Sequence, residues 1–137
     1  MPDAMDVLRR ELEFVDAASA LSLLRAIRRL DRPGSLTLVL VDDDRRLVDF
    51  FVVEDGAEQM IYVVEKIVEE DWPDVTAIVL VTDRTGEVPA DRPDDELVWM
   101  ELSSLATFYG VTLLDWFVVW GTNAFSVAEF APVPAQW

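Results

Sequence analysis

Hydrophobic and polar residues alternate along the chain in patterns that predict both strands and helices. Apolar runs at 35–41 and 47–53 flank an aspartate-rich turn, which predicts a β-hairpin. Residues 57–70 have apolar side chains at helical spacing, and the β-branched run at 75–81 is typical of a central strand. The middle of the chain is therefore predicted to run hairpin, helix, strand.

The region after the central strand is predicted to be a loop followed by a helix. Residues 83–93 are rich in proline, glycine and charge, which favours a loop. Asp94 or Asp95 is expected to cap the next helix, and Gly110 is expected to end it.

Both ends of the chain add further elements to this prediction. Residues 1–15 are expected to form a short helical extension, and a second helix is expected from Asp16 to the stop signal at Pro33. Residues 111–120 and 124–130 predict a second hairpin, and the proline-spaced tail 131–137 should be extended.

These elements together predict the fold class. Hairpins at both ends with helices between them favour an α/β (α+β) sandwich built on one mixed sheet, with helices packed around it. The length of 137 residues is ordinary for one domain, so we expect a single domain spanning 1–137.

The composition limits where the protein is expected to be found and what it is expected to bind. No apolar run approaches the roughly 20 residues needed to cross a bilayer, and the polar N-terminus does not resemble a signal peptide. We therefore expect a soluble, cytoplasmic protein. With 27 acidic and 11 basic residues, the net charge of −16 repels nucleic acids and anionic membranes, so direct binding to either is not expected.

The chain contains no histidine and no cysteine. It therefore lacks the usual nitrogen and sulfur ligands for zinc, the thiolate nucleophile, and the side chain most often used for acid–base catalysis near neutral pH. We expect no bound cofactor.

Three segments resemble a known family. These are LVLVDDDRRLV at 38–48, VTAIVLVTDRTG at 75–86 and FYGVTLLDWFVVWGTNAFSVAE at 108–129. In order and spacing they resemble the RadC-like branch of the JAB/MPN metal-dependent isopeptidases. The resemblance implies a cytidine-deaminase-like fold, in which an opening hairpin and a strand lead to an HNHPSG signature. A helix ending in glycine and a closing pair of strands then follow.

In that family two signature histidines and a later aspartate hold a zinc ion, which needs three protein ligands and an open position for water. Aligning Thr85-Gly86 with the end of the signature puts Val81 and Asp83 at the histidine positions. The later aspartate corresponds to Asp94 or Asp95. Valine cannot bind a metal, so the resemblance implies a degenerate site without zinc.

Two further family positions are also substituted. An upstream glutamate acts as general base in the family, and the matching position here is Gly34 or Ser35. The histidine of the closing strand is replaced by Trp116. The resemblance therefore implies that the domain is catalytically inactive.

Three hypotheses about function follow. The first is an inactive RadC-like domain that works as a protein-interaction module or a homodimer. The second is a hydrolase in which carboxylates of the 83–95 loop hold a divalent cation other than zinc, although a solvated acidic loop would explain the same residues. The third is an acidic protein that mimics DNA.

Tryptophans in the last third of the chain are candidates for an interface. Alternation puts Trp116 and Trp120 on one face of the closing strand, and Trp99 lies on the preceding helix. Because both faces of that strand are apolar, core and interface remain open for these residues. Asp115 in the same strand is expected to have a structural role, and a catalytic Ser–Lys pair using Lys66 is a remote alternative.

Overall fold

The computed structural model describes residues 34–70, 72–84, 94–120 and 123–129. The predicted N-terminal helices, loop residues 85–93 and the tail 131–137 lie outside the described residues. Neither described helix is both long and apolar enough to cross a bilayer.

The described residues form an α+β fold with one mixed sheet, which confirms the predicted class. The strands and helices are β1 (Leu36–Val41), β2 (Leu47–Val53), α1 (Met60–Val68), β3 (Ala77–Arg84), α2 (Asp95–Phe108), β4 (Thr112–Trp120) and β5 (Asn123–Ser126). Short 3₁₀ segments precede α1 and follow β5.

The sheet has the strand order β2-β1-β3-β4-β5. Strand β1 is antiparallel to both of its neighbours, whereas β3 and β4 are parallel and β4 and β5 are antiparallel. Helix α2 connects the two parallel strands, as a parallel pair requires a crossover connection. The two antiparallel pairs β1–β2 and β4–β5 are the predicted hairpins.

One face of the sheet packs against both helices. Buried residues of α1 recur every four positions, which places them on one side of that helix. Those of α2 also form a single row. The cluster includes Leu36, Leu38 and Leu40 of β1, Ile78 and Leu80 of β3, Met60, Val64 and Val68 of α1, and Trp99, Leu102 and Ala106 of α2.

The other face of the central strands is buried as well. Val39, Val79, Val81 and Phe117 are all at most 2 % exposed, although none belongs to the cluster under the helices. A strand that is covered on both faces needs mostly apolar side chains, which explains why Thr37 is the only polar residue of β1.

Helix α2 ends as predicted. Gly110 has a φ of 79°, and its N–H donates to the carbonyl of Thr107. The N–H of Val111 donates to the carbonyl of Ala106, which completes a Schellman motif. The helix also starts where it was predicted to, since Asp94 is the N-cap residue, but the Asp94 side chain makes no capping hydrogen bond.

Two predicted strand ends are wrong. Strand β3 was expected to end at residue 81, but backbone bonds between Asp83 and the Gly34–Ser35 segment prolong its pairing with the β1 side. The last strand was expected to reach residue 130, but its pairing with β4 stops at Ser126, where a 3₁₀ turn begins.

Gly56 provides a test of the packing between the hairpin and the turn before α1. A Cβ atom at this position would lie 2.9 Å from the Cβ of Leu36 and 3.0 Å from the Cβ of Val53. We expect Gly56→Ala to lower the free energy of unfolding by about 1–3 kcal/mol in urea denaturation.

Gly110→Asn is the matched control. Among the described residues, none apart from the immediate chain neighbours has an atom within 4 Å of the place a Cβ would take at Gly110. Asparagine also tolerates the left-handed conformation of this position. We expect a change of less than about 1 kcal/mol. Equal destabilisation by both substitutions would contradict the packing explanation for Gly56.

Candidate functional site: an acidic cleft at the end of the sheet

A cleft of about 870 Å³ opens where β3 ends, beside the first turns of α1 and α2. Acidic and apolar side chains share its described lining. The carboxylates are Asp55, Glu58, Glu65, Asp83, Asp94 and Asp95, and the apolar residues include Met60, Ile61, Val98 and Trp116. None of the described lining residues is basic.

Asp83 and Ser35 meet at this end of the sheet. The Ser35 Oγ donates a hydrogen bond of 2.9 Å to Oδ2 of Asp83, and both residues are at most 5 % exposed. The Gly34 N–H donates to the carbonyl of Asp83 at 3.1 Å, so the backbone holds the two segments together. The structure therefore brings Asp83 together with the Gly34–Ser35 segment, the positions that the resemblance matches to a histidine and to the general-base glutamate.

Val81 does not reach the cleft. It lies within β3, paired with Thr37 of β1 and Phe117 of β4, and is 1 % exposed. Its hydrocarbon side chain offers no ligand atom, and Val81 is not among the residues that line the cleft. The first of the two aligned histidine positions is therefore occupied by a sheet-interior residue.

Asp94 and Asp95 both line the cleft, but their environments differ. Asp94 is exposed, whereas Asp95 is 7 % exposed and begins α2. A carboxylate in the first turn of a helix interacts favourably with the helix dipole. This position gives Asp95 a structural role that needs no bound ion.

The interface prediction for Trp99 and Trp116 needs correction. Trp99 is 0 % exposed and Trp116 is 2 % exposed within a single chain, so neither offers surface to a partner. The indole Nε1 of Trp116 donates to Oγ1 of Thr82 at 2.9 Å, which satisfies its one polar atom beside the cleft. The side chain of Trp120 lies outside the described part of the structure.

Asp115 makes the buried polar contact that was expected of it. It is 1 % exposed, and its Oδ1 accepts hydrogen bonds from Ser126 Oγ at 2.6 Å and from the backbone N–H of Trp116 at 2.8 Å. The register of β3 with β4 shifts beside Asp115, where Leu114 is the extra residue of a bulge. Asp115 therefore ties β5 to the bulged part of β4.

The cleft includes acidic residues that sequence reasoning missed. Asp55 precedes the 3₁₀ segment, Glu58 lies within it, and Glu65 lies on α1. Along the chain, at least part of α1 and most of β3 lie between each of these residues and Asp83. No local sequence motif therefore connects these residues to Asp83. Only the packing of α1 beside β3 places them at the same cleft.

The described residues do not fit a zinc ion. Zinc in proteins needs at least three nitrogen, sulfur or carboxylate ligands around one point. Across 34–70, 72–84, 94–120 and 123–129, no group of three or more such side chains is arranged to hold a metal. The second prediction, a different cation bound by the 83–95 loop, stays a prediction because residues 85–93 lie outside these ranges.

Lys66 does not have the environment of a catalytic base. Its Nζ lies 3.4 Å from Oε1 of Glu69, and the charge of Glu69 raises the pKa of Lys66 above its ordinary value. A lysine that acts as a base needs a lowered pKa. This contact argues against a Ser–Lys pair.

Comparisons with known proteins add no constraint on the site. Neither protein-family models nor curated proteins match the chain. The roles of the cleft residues are therefore argued from their contacts and charges.

The bond between Ser35 and Asp83 can be measured by a double-mutant cycle. We expect the coupling free energy between Ser35→Ala and Asp83→Ala to be about 1.5–3 kcal/mol, because a hydrogen bond to a charged group is stronger than a neutral one. Urea denaturation of the four proteins gives this value.

A matched cycle combines Ser35→Ala with Asp43→Ala, because Asp43 is an exposed aspartate in the distant hairpin turn. That pair should show coupling of less than about 0.5 kcal/mol. Similar coupling in the two cycles would contradict a specific Ser35–Asp83 bond.

Proposed function

We propose that this protein is a catalytically inactive RadC-like JAB-type domain that acts as a protein-interaction module, with a second protein or a second copy as the partner. One observation carries the proposal. Asp83 and the Gly34–Ser35 segment match two catalytic positions of the family, and Ser35 is hydrogen-bonded to Asp83 beside the cleft, but these residues cannot form the family's zinc site.

The order of the elements supports the family part of the proposal. The hairpin β1–β2 corresponds to the family's opening hairpin, and β3 corresponds to the strand before its signature. Helix α2 ends at a glycine, as in the family pattern, and β5 carries Ser126 in the closing position. We propose on this basis that the mixed sheet is a JAB-type, cytidine-deaminase-like sheet.

The side chains at the aligned positions support inactivity. Hydrolysis by the family requires a zinc-bound water and a carboxylate that takes its proton. Here the position of that carboxylate is taken by Ser35 or Gly34, and Val81 lies inside the sheet at a ligand position. The remaining carboxylate, Asp83, accepts a hydrogen bond from Ser35.

The charge of the cleft supports an interaction role. Six carboxylates and no described basic residue line it, so its potential favours positively charged groups. Its apolar residues provide additional contact area, as is usual for binding sites. The DNA-mimic hypothesis also uses negative charge, and it stays a prediction.

Metal content and thermal unfolding test the proposal. The protein is purified without a histidine tag and dialysed against zinc, magnesium, manganese or calcium, and bound metal is counted by mass spectrometry. We expect no stoichiometric metal and a change in Tm of less than about 1 °C, because a specifically bound ion at 100 times its Kd would stabilise the fold by about 2.7 kcal/mol.

A pair of double variants separates a cleft ion from general charge effects. Asp94→Asn with Asp95→Asn removes two carboxylates from the cleft, and Asp43→Asn with Asp44→Asn removes two exposed carboxylates from the hairpin turn. Metal-dependent stabilisation that disappears only in the cleft variant would overturn the proposal in favour of the carboxylate-cation hydrolase.

A further inference from the structure

The side of helix α2 that faces away from the core carries a stripe of three apolar residues and one serine. The residues of this outer stripe are Leu97, Met100, Ser104 and Phe108. Leu97 is 66 % exposed, Met100 42 % and Phe108 80 %. At 100° per residue, Leu97, Ser104 and Phe108 lie almost directly opposite the row formed by the buried residues of the helix.

An outer stripe of this kind is unusual for a surface helix. Such helices normally place charged and polar side chains opposite their buried face. Helix α2 instead exposes three large apolar side chains opposite its buried face, and exposed apolar side chains that cluster together mark an interaction site. The contacts that already bury Trp99 and Leu102 use only the inner side.

Phe108 is positioned as an anchor at one end of the stripe. Its ring contacts the ring of Tyr109 edge-on, with centroids 5.0 Å apart and planes at 84°. Tyr109 is half-buried beside the core, so it supports one side of the Phe108 ring. Aromatic side chains, phenylalanine included, are enriched at protein interfaces, and Phe108 is both exposed and supported by a neighbouring ring.

The charges on α2 determine which partner fits. All of its charged residues, Asp95, Glu96 and Glu101, are acidic. Glu96 and Glu101 are exposed and lie on opposite flanks of the outer stripe. A partner that covers the stripe must therefore meet negative charge on both sides.

A second copy of this chain fits these charges poorly. Two antiparallel α2 helices related by a two-fold axis would bring identical acidic flanks together, and neither helix carries a basic residue to compensate. The net charge of −16 on each chain adds long-range repulsion. An apolar segment flanked by basic residues has complementary charges at every one of these positions.

We propose that the outer stripe of α2 docks an amphipathic helical segment of another protein, with apolar residues on one face and lysine or arginine on both flanks. This inference rests on the proposed interaction role and names the partner's chemistry. Helix α2 has 14 residues and is about 21 Å long, which matches about four turns of a partner helix.

A synthetic peptide tests this inference. The probe is a blocked, dye-labelled helix of about 18 residues with leucines along one face and lysines on both flanks. Two matched probes have glutamate in place of lysine, or the same composition in scrambled order. Fluorescence anisotropy with the full chain measures each Kd at low and at high NaCl.

We expect the lysine probe to bind at least about tenfold more tightly than either matched probe. Its affinity should fall as NaCl rises, since the flanking charges are exposed to solvent. Absence of binding, or equal binding of the scrambled probe, would overturn the inference.

Three variants locate the binding surface. Phe108→Ser should weaken binding of the lysine probe by about tenfold or more, because it removes the aromatic anchor. Glu101→Lys should weaken binding of the lysine probe and strengthen binding of the glutamate probe. Val52→Thr is the matched control, because Val52 is 53 % exposed on β2, and it should leave both affinities unchanged.

Light scattering tests whether a second copy of this chain, rather than another protein, covers the outer stripe. The chain should stay monomeric across the concentrations used for binding, and a dimer that Phe108→Ser dissociates would overturn the inference in favour of a second copy. The metal measurements above do not depend on this result. A failed peptide experiment with no bound metal would reject the docking site and leave the inactive domain in place.

Discussion

The burial of β1 and β3 on both faces is the constraint on which the rest of the described structure depends. Every residue of β1 is buried, and so are residues 77–83 of β3. Each unmatched polar group inside such a pair would cost free energy, so the strands are almost entirely apolar. Functional polar side chains can therefore collect only where the strands end.

That constraint places the cleft and limits its chemistry. Ser35 and Asp83 lie at the end of the β1–β3 pair, and Thr82 and Trp116 form a second buried hydrogen bond beside them. In both contacts the polar side-chain atoms bond to each other and hold neighbouring segments of the sheet together. The result is a shaped, acidic cleft whose lining side chains also stabilise the fold.

The local features of the fold could be predicted from sequence. The hairpin turn, the span of β2 and the glycine that ends α2 each depend on neighbouring residues, and each was predicted correctly. The end of β3 was not predicted correctly, because it depends on pairing with Gly34 and Ser35. Ser35 lies 48 residues before Asp83 in the sequence. The end of β5 likewise depends on its pairing with β4.

The site was predictable only in part, for similar reasons. Asp83, Asp94 and Asp95 were proposed from the resemblance to the family, and all three line the cleft. Glu58 and Glu65 were missed because only the packing of α1 brings them there. Around Trp116 both faces of the closing strand carry apolar residues, Val118 on one face and Phe117 and Val119 on the other, so the pattern could not distinguish a core residue from an interface residue until the helices were placed.

The central proposal is that this chain has a RadC-like JAB-type fold around a site that does not hold zinc. A crystal structure of the protein grown with zinc, with anomalous data collected at the zinc absorption edge, tests this claim most directly. The account predicts no anomalous peak in the cleft and an intact hydrogen bond between Ser35 and Asp83. A zinc peak coordinated by Asp83 together with Asp94 or Asp95 would contradict it.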